Sequence, residues 1–301
     1  MARRFLPGKK FGEGAVKIRK AVITAAGWGT RFLPVTRSQP KEMLPLVDRP
    51  LIQYAVEEAI QAGIEQVIMV TAMGKRAIED YFDSAFELEY FLERKGETAL
   101  LKQMKEISGM VNICYVRQKD QLGLGNAIYT ARNIVGDEPF AVILPDDIIL
   151  GEAAPLKRMM EIYQEYRAGV IAVEEVDRED TCKYGIIEPR PVSARLYEIV
   201  GLVEKPEPSR APSRLGIVGR YILPSRIFDV LEKTPPDRGN EVQLTDALQL
   251  LLKQQKLYAC ELEGVRYDTG TPLGWLKANI ELALKRDDFG PELKKYLKGL
   301  L

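Results

Sequence analysis

The chain has 301 residues, of which 46% are hydrophobic and 29% are charged, and its 43 basic residues balance its 43 acidic ones. This composition predicts a globular protein with a sizeable core, and the neutral net charge argues against a nucleic-acid binder. The sequence contains no histidine, which excludes Ser-His-Asp catalysis, Cys-His catalysis and metal sites that use histidine. Any catalysis would therefore depend on carboxylates, lysine, arginine, backbone amides and oxygen-bound metal.

The start of the chain and its cysteines bear on location. Residues 1–16 are predicted to be a flexible basic arm, because no apolar stretch typical of a signal peptide follows them. The sequence also has no apolar run of the ~18 residues that a membrane-spanning helix needs, so we expect no membrane association. Cys114, Cys182 and Cys260 are far apart and form no CxxC motif, which fits reduced thiols in the cytoplasm.

The first predicted elements favour a parallel α/β sheet. Residues 19–26 form a short apolar run that stops at a glycine and is typical of a buried strand. Residues 51–63 place apolar side chains at helical spacing between a proline and a glycine, and residues 66–71 form a second apolar run. The order of strand, glycine-rich loop, helix and strand is that of an opening βαβ unit.

Helices and strands continue to alternate up to residue 176. Further helices are predicted over 75–82, 87–107, 126–133 and 156–167, and further strands over 111–116, 140–144 and 170–176. The long charged helix at 87–107 is interpreted as an excursion from the sheet.

The pattern changes after residue 184. Residues 184–223 consist of short strands with turns, which is typical of antiparallel pieces, and the loop at 206–213 is interpreted as a surface loop. The remaining predicted elements are helices over 227–232 and 242–254, a strand over 257–262, and helices over 273–285 and 292–300.

The segment AGWGTR at residues 26–31 follows the first predicted strand directly. Glycines let the backbone approach a phosphate closely, and consecutive amides form an anion cradle. Arg31 adds a planar donor group that is always charged. The spacing matches neither the Rossmann GxGxxG nor the P-loop. It predicts a triphosphate loop, with a tight structural turn as the alternative.

Lys41 and Glu42 lie between two prolines shortly after this glycine turn. A lysine at that position can reach the same phosphates as a compact point charge. The alternative is a solvated Lys–Glu pair on a proline-rich loop, and the neighbouring glycine turn favours the phosphate contact.

Gln118, Gly123 and Gly125 follow the strand predicted at 111–116. The glutamine amide can hydrogen-bond the edge of a base as both donor and acceptor. Glycines let the chain pass close to a base or ribose. The alternative is that these glycines merely start the following helix.

Two consecutive carboxylates, Asp146 and Asp147, follow the strand predicted at 140–144. Ligands of open α/β folds bind at the carboxyl ends of the strands, and Mg2+ prefers one or two carboxylates together with phosphate oxygens. Asp146 is the predicted metal ligand, and Asp147 is either its supporting partner or a surface residue. Asp268 is a second candidate ligand. A turn or cap aspartate is the alternative for each.

Glu204 and Lys205 directly precede a proline. Glu204 can accept hydrogen bonds from vicinal sugar hydroxyls, and Lys205 can meet a phosphate. The pair is therefore a candidate site for a sugar phosphate.

Taken together, these segments resemble the nucleotide-diphospho-sugar pyrophosphorylases, and most of all the bacterial UTP–glucose-1-phosphate uridylyltransferase family. The resemblance runs from about residue 17 to residue 298 and is carried by AAGWGTRFLPVT, PKEMLPLVDRPLIQYAVEEAIQAGI, RQKDQLGLGNAI, VGDEPFAVILPDD, VGLVEKPEPSRAPSRLGIVGRYIL and NEVQLTDAL. It implies an α/β, three-layer, Rossmann-like nucleotidyltransferase fold with a mixed, mainly parallel central sheet and C-terminal helices. The implied organisation is one domain over 17–301, with a nucleotide-binding half at 17–150, a sugar-phosphate half at 151–270 and C-terminal helices at 271–301.

The resemblance also implies an activity: transfer of UMP from UTP to glucose 1-phosphate, with Mg2+ as the cofactor. A sugar phosphate is already an oxyanion, so it can attack the α-phosphorus in line without a general base, and the protein supplies positioning and charge neutralisation. The catalytic residues would be Arg31, Lys41, Asp146 and Lys205. The family commonly forms dimers or tetramers, so a homodimer or homotetramer is expected.

Binding roles follow from the resemblance as well. The loop over the triphosphate would comprise Ala26, Gly27, Gly29, Thr30 and Arg31. The uracil and ribose would be contacted by Glu42, Gln118, Gly123 and Gly125. Glucose 1-phosphate would be contacted by Gly185, Glu204 and Lys205, with Val218 beside the sugar. Mg2+ would be held by Asp146, with Asp268 as a possible second ligand.

Two departures from the family pattern keep an alternative open. Asn126 stands where the family often has histidine, and residues 267–271 read YDTGT, which is more like the glucose-1-phosphate thymidylyltransferases. The alternative substrates are therefore dTTP or another hexose 1-phosphate. A non-catalytic binding protein is disfavoured because Asp146 and Lys205 are present. An NAD-dependent dehydrogenase is set aside because Phe32 occupies the third glycine position of GxGxxG.

Overall fold

The structure is a computed structural model that describes residues 16–151 and 155–300. The flexible arm predicted at residues 1–16 lies outside these ranges except for Val16. Within the same ranges, none of the helices combines the length and the apolar character that crossing a membrane requires.

The described ranges contain thirteen strands. They are β1 (Lys20–Thr24), β2 (Pro45–Leu46), β3 (Arg49–Pro50), β4 (Gln66–Thr71), β5 (Asn112–Arg117), β6 (Phe140–Ile143), β7 (Asp147–Leu150), β8 (Gly169–Glu175), β9 (Gly185–Ser193), β10 (Leu196–Glu204), β11 (Leu215–Leu223), β12 (Leu257–Glu261) and β13 (Val265–Asp268). Nine of them form one sheet in the order β5-β4-β1-β6-β11-β8-β12-β10-β9. Seven of the nine strands run in the same direction, and β10 and β11 are antiparallel to them. The mixed, mainly parallel sheet that the sequence predicts is therefore confirmed.

Eleven α-helices lie in the same ranges. They are α1 (Leu51–Gln61), α2 (Arg76–Phe82), α3 (Phe86–Lys95), α4 (Thr98–Ser108), α5 (Gly123–Thr130), α6 (Arg132–Val135), α7 (Pro155–Tyr166), α8 (Ile227–Leu231), α9 (Leu244–Leu252), α10 (Pro272–Leu284) and α11 (Gly290–Leu300). Helices α5, α6, α8 and α9 pack on one face of the sheet, and α1, α2, α4 and α7 pack on the other. Val22 of β1 packs in the apolar cluster on the face covered by α5, α6, α8 and α9, whereas Ala21 and Ile23 pack in the cluster on the opposite face. A strand covered on both faces needs apolar residues at successive positions, which explains the apolar run and gives the three predicted layers.

The structure divides two predicted helices. The helix predicted over 87–107 is α3 and α4, because Gly96 ends α3 in the left-handed conformation at φ 73°. The helix predicted over 126–133 begins earlier, at Gly123, and is interrupted at Ala131 between α5 and α6. The strands predicted to be short between residues 184 and 223 are in fact β9, β10 and β11, each of nine residues.

A two-stranded ribbon that the sequence analysis missed connects the middle of the chain with its end. Strands β7 and β13 pair antiparallel, with Asp147 opposite Asp268. The ribbon shares a small apolar cluster with β2 and α10, which includes Leu46, Tyr267 and Ala278. Asp268 is thereby carried to the edge of the sheet where β6 ends. The main sheet itself takes strands from both sides of residue 150, and the proposed division of labour between the two halves stays a prediction.

Candidate active site

A cavity of about 490 Å³ opens where β1, β5 and β6 end at one edge of the sheet. Parallel strands present their carboxyl ends at the same edge, which is where open α/β folds bind ligands. The predicted site residues that line it are Ala26, Gly27, Gly29, Thr30, Lys41, Glu42, Gln118, Gly123 and Asp146. The lining residues to which the sequence analysis gave no role are Thr24, Trp28, Gln121, Leu124, Ala127 and Glu241.

The glycine turn is held by the segment that follows it. The hydroxyl of Thr36 donates a hydrogen bond of 2.8 Å to the carbonyl of Gly29. The point where a Cβ on Gly29 would lie is 3.3 Å from Cβ of Lys41. The turn therefore packs directly against the 3-10 turn Lys41–Met43. This contact brings the predicted phosphate loop and the predicted phosphate lysine together.

The ammonium group of Lys41 donates a hydrogen bond of 2.6 Å to Oδ2 of Asp146. Burial raises the pKa of Asp146, but the charge and the hydrogen bond of Lys41 outweigh it and lower that pKa. Burial lowers the pKa of Lys41, and the charges of Asp146 and Glu42 reverse this and raise it. Asp146 therefore contributes stability above its ordinary pKa of 3.8 that is lost as the pH falls through its lowered pKa. Lys41 contributes stability below its ordinary pKa of 10.5 that is lost as the pH rises through its raised pKa.

The second predicted metal ligand lies beside the first. A Cβ on Gly270 would lie 3.0 Å from Oδ1 of Asp268 and 3.1 Å from Oδ2 of Asp146. The two carboxylate oxygens are therefore separated by no more than the sum of these two distances. Arg31 approaches the same place, with Nη1 3.4 Å from the carbonyl of Gly270. The backbone N–H of Thr269 donates a 2.8 Å hydrogen bond to the carbonyl of Asp146, which fixes the two segments to each other.

These oxygens suit Mg2+, which prefers one or two carboxylates. Within residues 16–151 and 155–300, no group of three or more His, Cys, Asp or Glu side chains is arranged to hold a metal ion. The role of Asp146 and Asp268 as magnesium ligands stays a prediction, in which substrate phosphates would supply the other oxygens.

Gln118 stands against the glycine-rich start of α5. Its side chain is 3% exposed, and its amide donates hydrogen bonds of 3.3 Å to the carbonyl of Gly123 and 2.8 Å to Oδ1 of Asn126. Gly125 does not line the cavity. Its N–H donates a hydrogen bond of 2.8 Å to the carbonyl of Val242, and a Cβ on Gly125 would lie 2.7 Å from that carbonyl oxygen. The lack of a side chain at Gly125 therefore lets Val242 pack closely against α5. The predicted contact of Gly125 with the ribose stays a prediction.

Glu42 has a partner that the sequence analysis missed. Lys75, which directly precedes α2, places its ammonium group 2.8 Å from Oε2 of Glu42, and the two side chains are 8% and 1% exposed. Burial raises the pKa of Glu42, whereas the charges of Lys75 and Lys41 oppose the rise. The two residues lie 33 positions apart, and no local pattern connects them.

Three of the residues predicted to contact glucose 1-phosphate, Gly185, Glu204 and Lys205, form a second group outside the cavity wall. Gly185 in β9 faces Glu204 in β10, and a Cβ on Gly185 would lie 3.2 Å from Oε2 of Glu204. Lys205 takes a left-handed backbone conformation at φ 43°, with its ammonium group 3.2 Å from Oε1 of Glu204. Val218 is 2% exposed and belongs to the core. Their contacts with a sugar phosphate stay predictions.

Asp147 is a buried scaffold residue rather than a surface residue. Its Oδ2 accepts the N–H of Gly219 at 2.9 Å, and its Oδ1 accepts Nε of Arg266 at 2.7 Å. Its carbonyl accepts Nη2 of Arg220 at 2.7 Å. Arg220 is 1% exposed and pairs with Glu58 of α1 at 2.7 Å. The residue next to the candidate metal ligand is thus tied to the core.

The chain is similar to known nucleotidyl transferases over nearly its whole length. A family described as nucleotidyl transferase matches residues 20–284. A UTP–glucose-1-phosphate uridylyltransferase of Staphylococcus epidermidis is 50% identical over 284 residues, covering 94% of this chain and 99% of that protein. A solved UDP-glucose pyrophosphorylase complexed with UDP-glucose has a TM-score of 0.82 and 44% identity, with 90% and 100% of the two chains covered. A UTP-bound UGPase from Acinetobacter baumannii has a TM-score of 0.88 and 42% identity, covering 95% and 100%.

The cavity wall at Gly123 can be tested against a glycine of the same conformation. Gly123 and Gly63 both have φ +88°, but a Cβ on Gly123 would lie 2.8 Å from Cβ of Glu241, whereas Gly63 has nothing within 4 Å. Gly63→Ala should cost only the left-handed strain, about 1–2 kcal/mol of unfolding free energy. Gly123→Ala should cost more. If the cavity binds the predicted nucleoside triphosphate, this substitution should also weaken that binding about tenfold or more, because the wall containing Glu241 must move. Urea unfolding and calorimetric titration with UTP measure both, and equal effects of the two substitutions would contradict the assigned wall.

Proposed function

The chain belongs to the nucleotidyl transferase family, and from this premise we propose that it transfers the uridylyl group of UTP to glucose 1-phosphate, forming UDP-glucose and pyrophosphate. The observation that carries the proposal is the cavity in which the glycine turn, Lys41, Gln118 and Asp146 converge. The UTP–glucose-1-phosphate uridylyltransferase of Staphylococcus epidermidis, 50% identical over 94% of this chain, supports uridylyl transfer to glucose 1-phosphate, which the family resemblance also implies.

The reaction needs charge control rather than proton transfer. An oxygen of glucose 1-phosphate forms a bond to the α-phosphorus of UTP, and the bond from that phosphorus to the bridging oxygen breaks, so that pyrophosphate leaves with the electron pair. The attacking oxygen is already anionic, so no residue has to remove a proton. The protein must instead offset the repulsion between two phosphate groups and hold them in line. A chain without histidine is suited to this task.

Arg31 and Lys41 are the cations proposed to offset this charge. Lys41 is held 2.6 Å from Asp146 and is 20% exposed on its side chain, so it is accessible from the cavity that it lines. The fork of Arg31 lies near Gly270 and can donate to two phosphate oxygens at once. Binding of a triphosphate would draw both cations towards it.

Asp146 and Asp268 are the residues proposed to hold Mg2+. One oxygen of each lies close to Gly270, 3.1 Å for Asp146 and 3.0 Å for Asp268 from the point where a Cβ on that glycine would lie. When bound, Mg2+ would neutralise phosphate charge and polarise the reacting phosphate. The two carboxylates set its place, and Thr269 sets the position of Asp146 through the hydrogen bond to its carbonyl.

Base recognition and sugar recognition are proposed for opposite ends of the site. Gln118 is buried, and the partners of its amide nitrogen are Gly123 and Asn126, which fixes the side chain against the wall where a base would lie. Glu204 and Lys205 are proposed to meet the sugar hydroxyls and the phosphate of glucose 1-phosphate. Their mutual contact of 3.2 Å keeps a carboxylate and a cation side by side, as a sugar phosphate requires.

A pyrophosphate-release assay tests the proposed function directly. We expect release with UTP and glucose 1-phosphate, and slower release with dTTP or with galactose 1-phosphate. Faster release with dTTP would favour thymidylyl transfer, to which the YDTGT segment at residues 267–271 points. Absence of release with every pair would reject the proposed enzyme class.

Removing the carboxylate of Asp146 should abolish most of the activity without unfolding the protein. Asp146→Asn removes the partner of Lys41 and a proposed magnesium ligand, so turnover should fall by about 10³-fold. Asp288→Asn is the matched control, because Asp288 also pairs with a cation, Arg286, at 2.8 Å but on the surface. Steady-state kinetics and circular dichroism measure activity and folding. Near-normal turnover of Asp146→Asn would refute the metal role.

The assembly and the cellular location are proposals as well. Helix α3 exposes Phe86, Tyr90 and Phe91 to the extent of 77%, 51% and 54%, and exposed apolar patches often mark protein contacts. This supports a homodimer or homotetramer, for which light scattering should give two or four times the chain mass. Phe91→Ser should lower that mass, and a monomeric parent protein would contradict the proposal. The cytoplasm stays the predicted location.

A further inference from the structure

Arg266 of β13 connects three other segments of the chain. Its Nε and Nη2 lie 2.7 and 2.6 Å from Oδ1 of Asp147, where β7 begins. Its Nη1 lies 3.1 Å from Oε2 of Glu174 in β8 and 3.4 Å from the hydroxyl of Tyr184. The guanidinium group also stands 5.4 Å from the centre of the Tyr184 ring. The side chain is 9% exposed and is not among the residues that line the nucleotide cavity.

Two of these contacts are next to proposed site residues, one from each end of the site. Asp147 directly follows Asp146, the proposed metal ligand. Tyr184 directly precedes Gly185, and its carbonyl accepts the N–H of Lys205 at 3.0 Å. Arg266 therefore touches both the segment that presents the nucleotide and metal end and the segment that presents the sugar-phosphate end.

The chemistry of arginine is needed for this arrangement. A guanidinium group has five donors in a rigid plane and can bond partners in several directions, whereas an ammonium group is a single point charge. The guanidinium group of an arginine also stays charged at every working pH. A lysine at this position could keep one carboxylate partner but could not span Asp147 and Tyr184 together.

We propose that Arg266 is a positioning residue that fixes the sugar-phosphate end of the site relative to the metal end. This inference rests on the proposed function, because it concerns the two ends of that same site. Arg266 does not line the cavity, so it is assigned no direct contact with a substrate. It acts through Asp147 on Asp146 and through Tyr184 on Gly185 and Lys205, and a displacement of about 1 Å between reacting groups can cost about 10²-fold in rate.

Arg266→Lys tests the proposal, since it keeps the buried positive charge and removes the fork. The lysine should keep the ion pair with Asp147 and lose the contact with the hydroxyl of Tyr184. We expect kcat/KM for glucose 1-phosphate to fall about 10–100-fold. The Kd for UTP, titrated without the sugar phosphate, should change less than threefold, and the melting temperature should stay within a few degrees. A merely structural role of Arg266 would not lower kcat/KM for glucose 1-phosphate while leaving the Kd for UTP unchanged.

Arg132→Lys is the matched control. Arg132 also contacts two carboxylates and a tyrosine, namely Asp229, Glu232 and Tyr129. It is 42% exposed on α6, and its substitution should leave both substrates unaffected. Tyr184→Phe removes only the contact on the sugar-phosphate side and should raise the KM for glucose 1-phosphate severalfold, with the Kd for UTP unchanged.

The outcomes separate this inference from the proposed function. If the wild-type enzyme releases no pyrophosphate from UTP and glucose 1-phosphate, the proposed function fails. If the wild-type enzyme is active and Arg266→Lys has unchanged kinetics, only the role of Arg266 is refuted. A parallel loss of UTP affinity, glucose 1-phosphate kinetics and melting temperature in Arg266→Lys would also refute it, because that pattern describes a general loss of structure. The same refutation follows if Tyr184→Phe changes nothing.

Discussion

The parallel pairing of β1 with β6 is the constraint on which the site depends. Lys20 to Ile23 pair in register with Phe140 to Ile143, so both strands leave the sheet at the same edge. The glycine turn after β1 and the carboxylate after β6 therefore meet, although Lys41 and Asp146 are 105 residues apart in the chain. The glycine turn by itself could belong to many folds. Its contact with the segment of Lys41, which pairs with Asp146, places the predicted phosphate loop beside the proposed metal ligand.

Charge is used in two ways around this edge. The pairs Glu42–Lys75 and Arg220–Glu58 are almost fully buried, and separating such a pair costs about 3–5 kcal/mol because one charge is left without a partner. They are therefore fixed parts of the framework. The Lys41–Asp146 pair is 20% and 27% exposed, so water can solvate each group if they part. Separating Lys41 from Asp146 therefore costs less free energy than separating either buried pair. Lys41 and Asp146 are also the two residues that would have to exchange partners when a triphosphate and a metal ion bind.

The two consecutive aspartates after β6 show how one short segment can serve both purposes. Asp146 lies in the turn that connects β6 with β7, and Asp147 is the first residue of β7. Asp146 lines the cavity, whereas Asp147 turns into the protein towards Gly219 and Arg266. The proposed metal ligand is thereby held by a neighbour whose two carboxylate oxygens both accept hydrogen bonds. The same contacts continue through Arg266 to the hydroxyl of Tyr184. Catalysis that relies on positioning instead of proton transfer benefits from such a rigid support.

Local patterns in the chain predict most of its helices and longer strands, and nine of the cavity-lining residues have a predicted role. Strand β4 is predicted at its observed limits of Gln66–Thr71, because apolar periodicity and glycine or proline punctuation are local signals. The family resemblance groups the glycines of the turn, Lys41, Gln118, Asp146 and Lys205 into one site, and of these only Lys205 lies outside the cavity lining. Only the tertiary structure revealed the β7–β13 ribbon, Lys75 beside Glu42, Glu241 in the wall and the contacts of Arg266. Four-residue strands carry little periodicity, and the partner of a buried charge is chosen by the order of strands in the sheet. That order brings together residues as distant as Asp147 and Arg266, which lie 119 positions apart, and no local pattern in the chain encodes their contact.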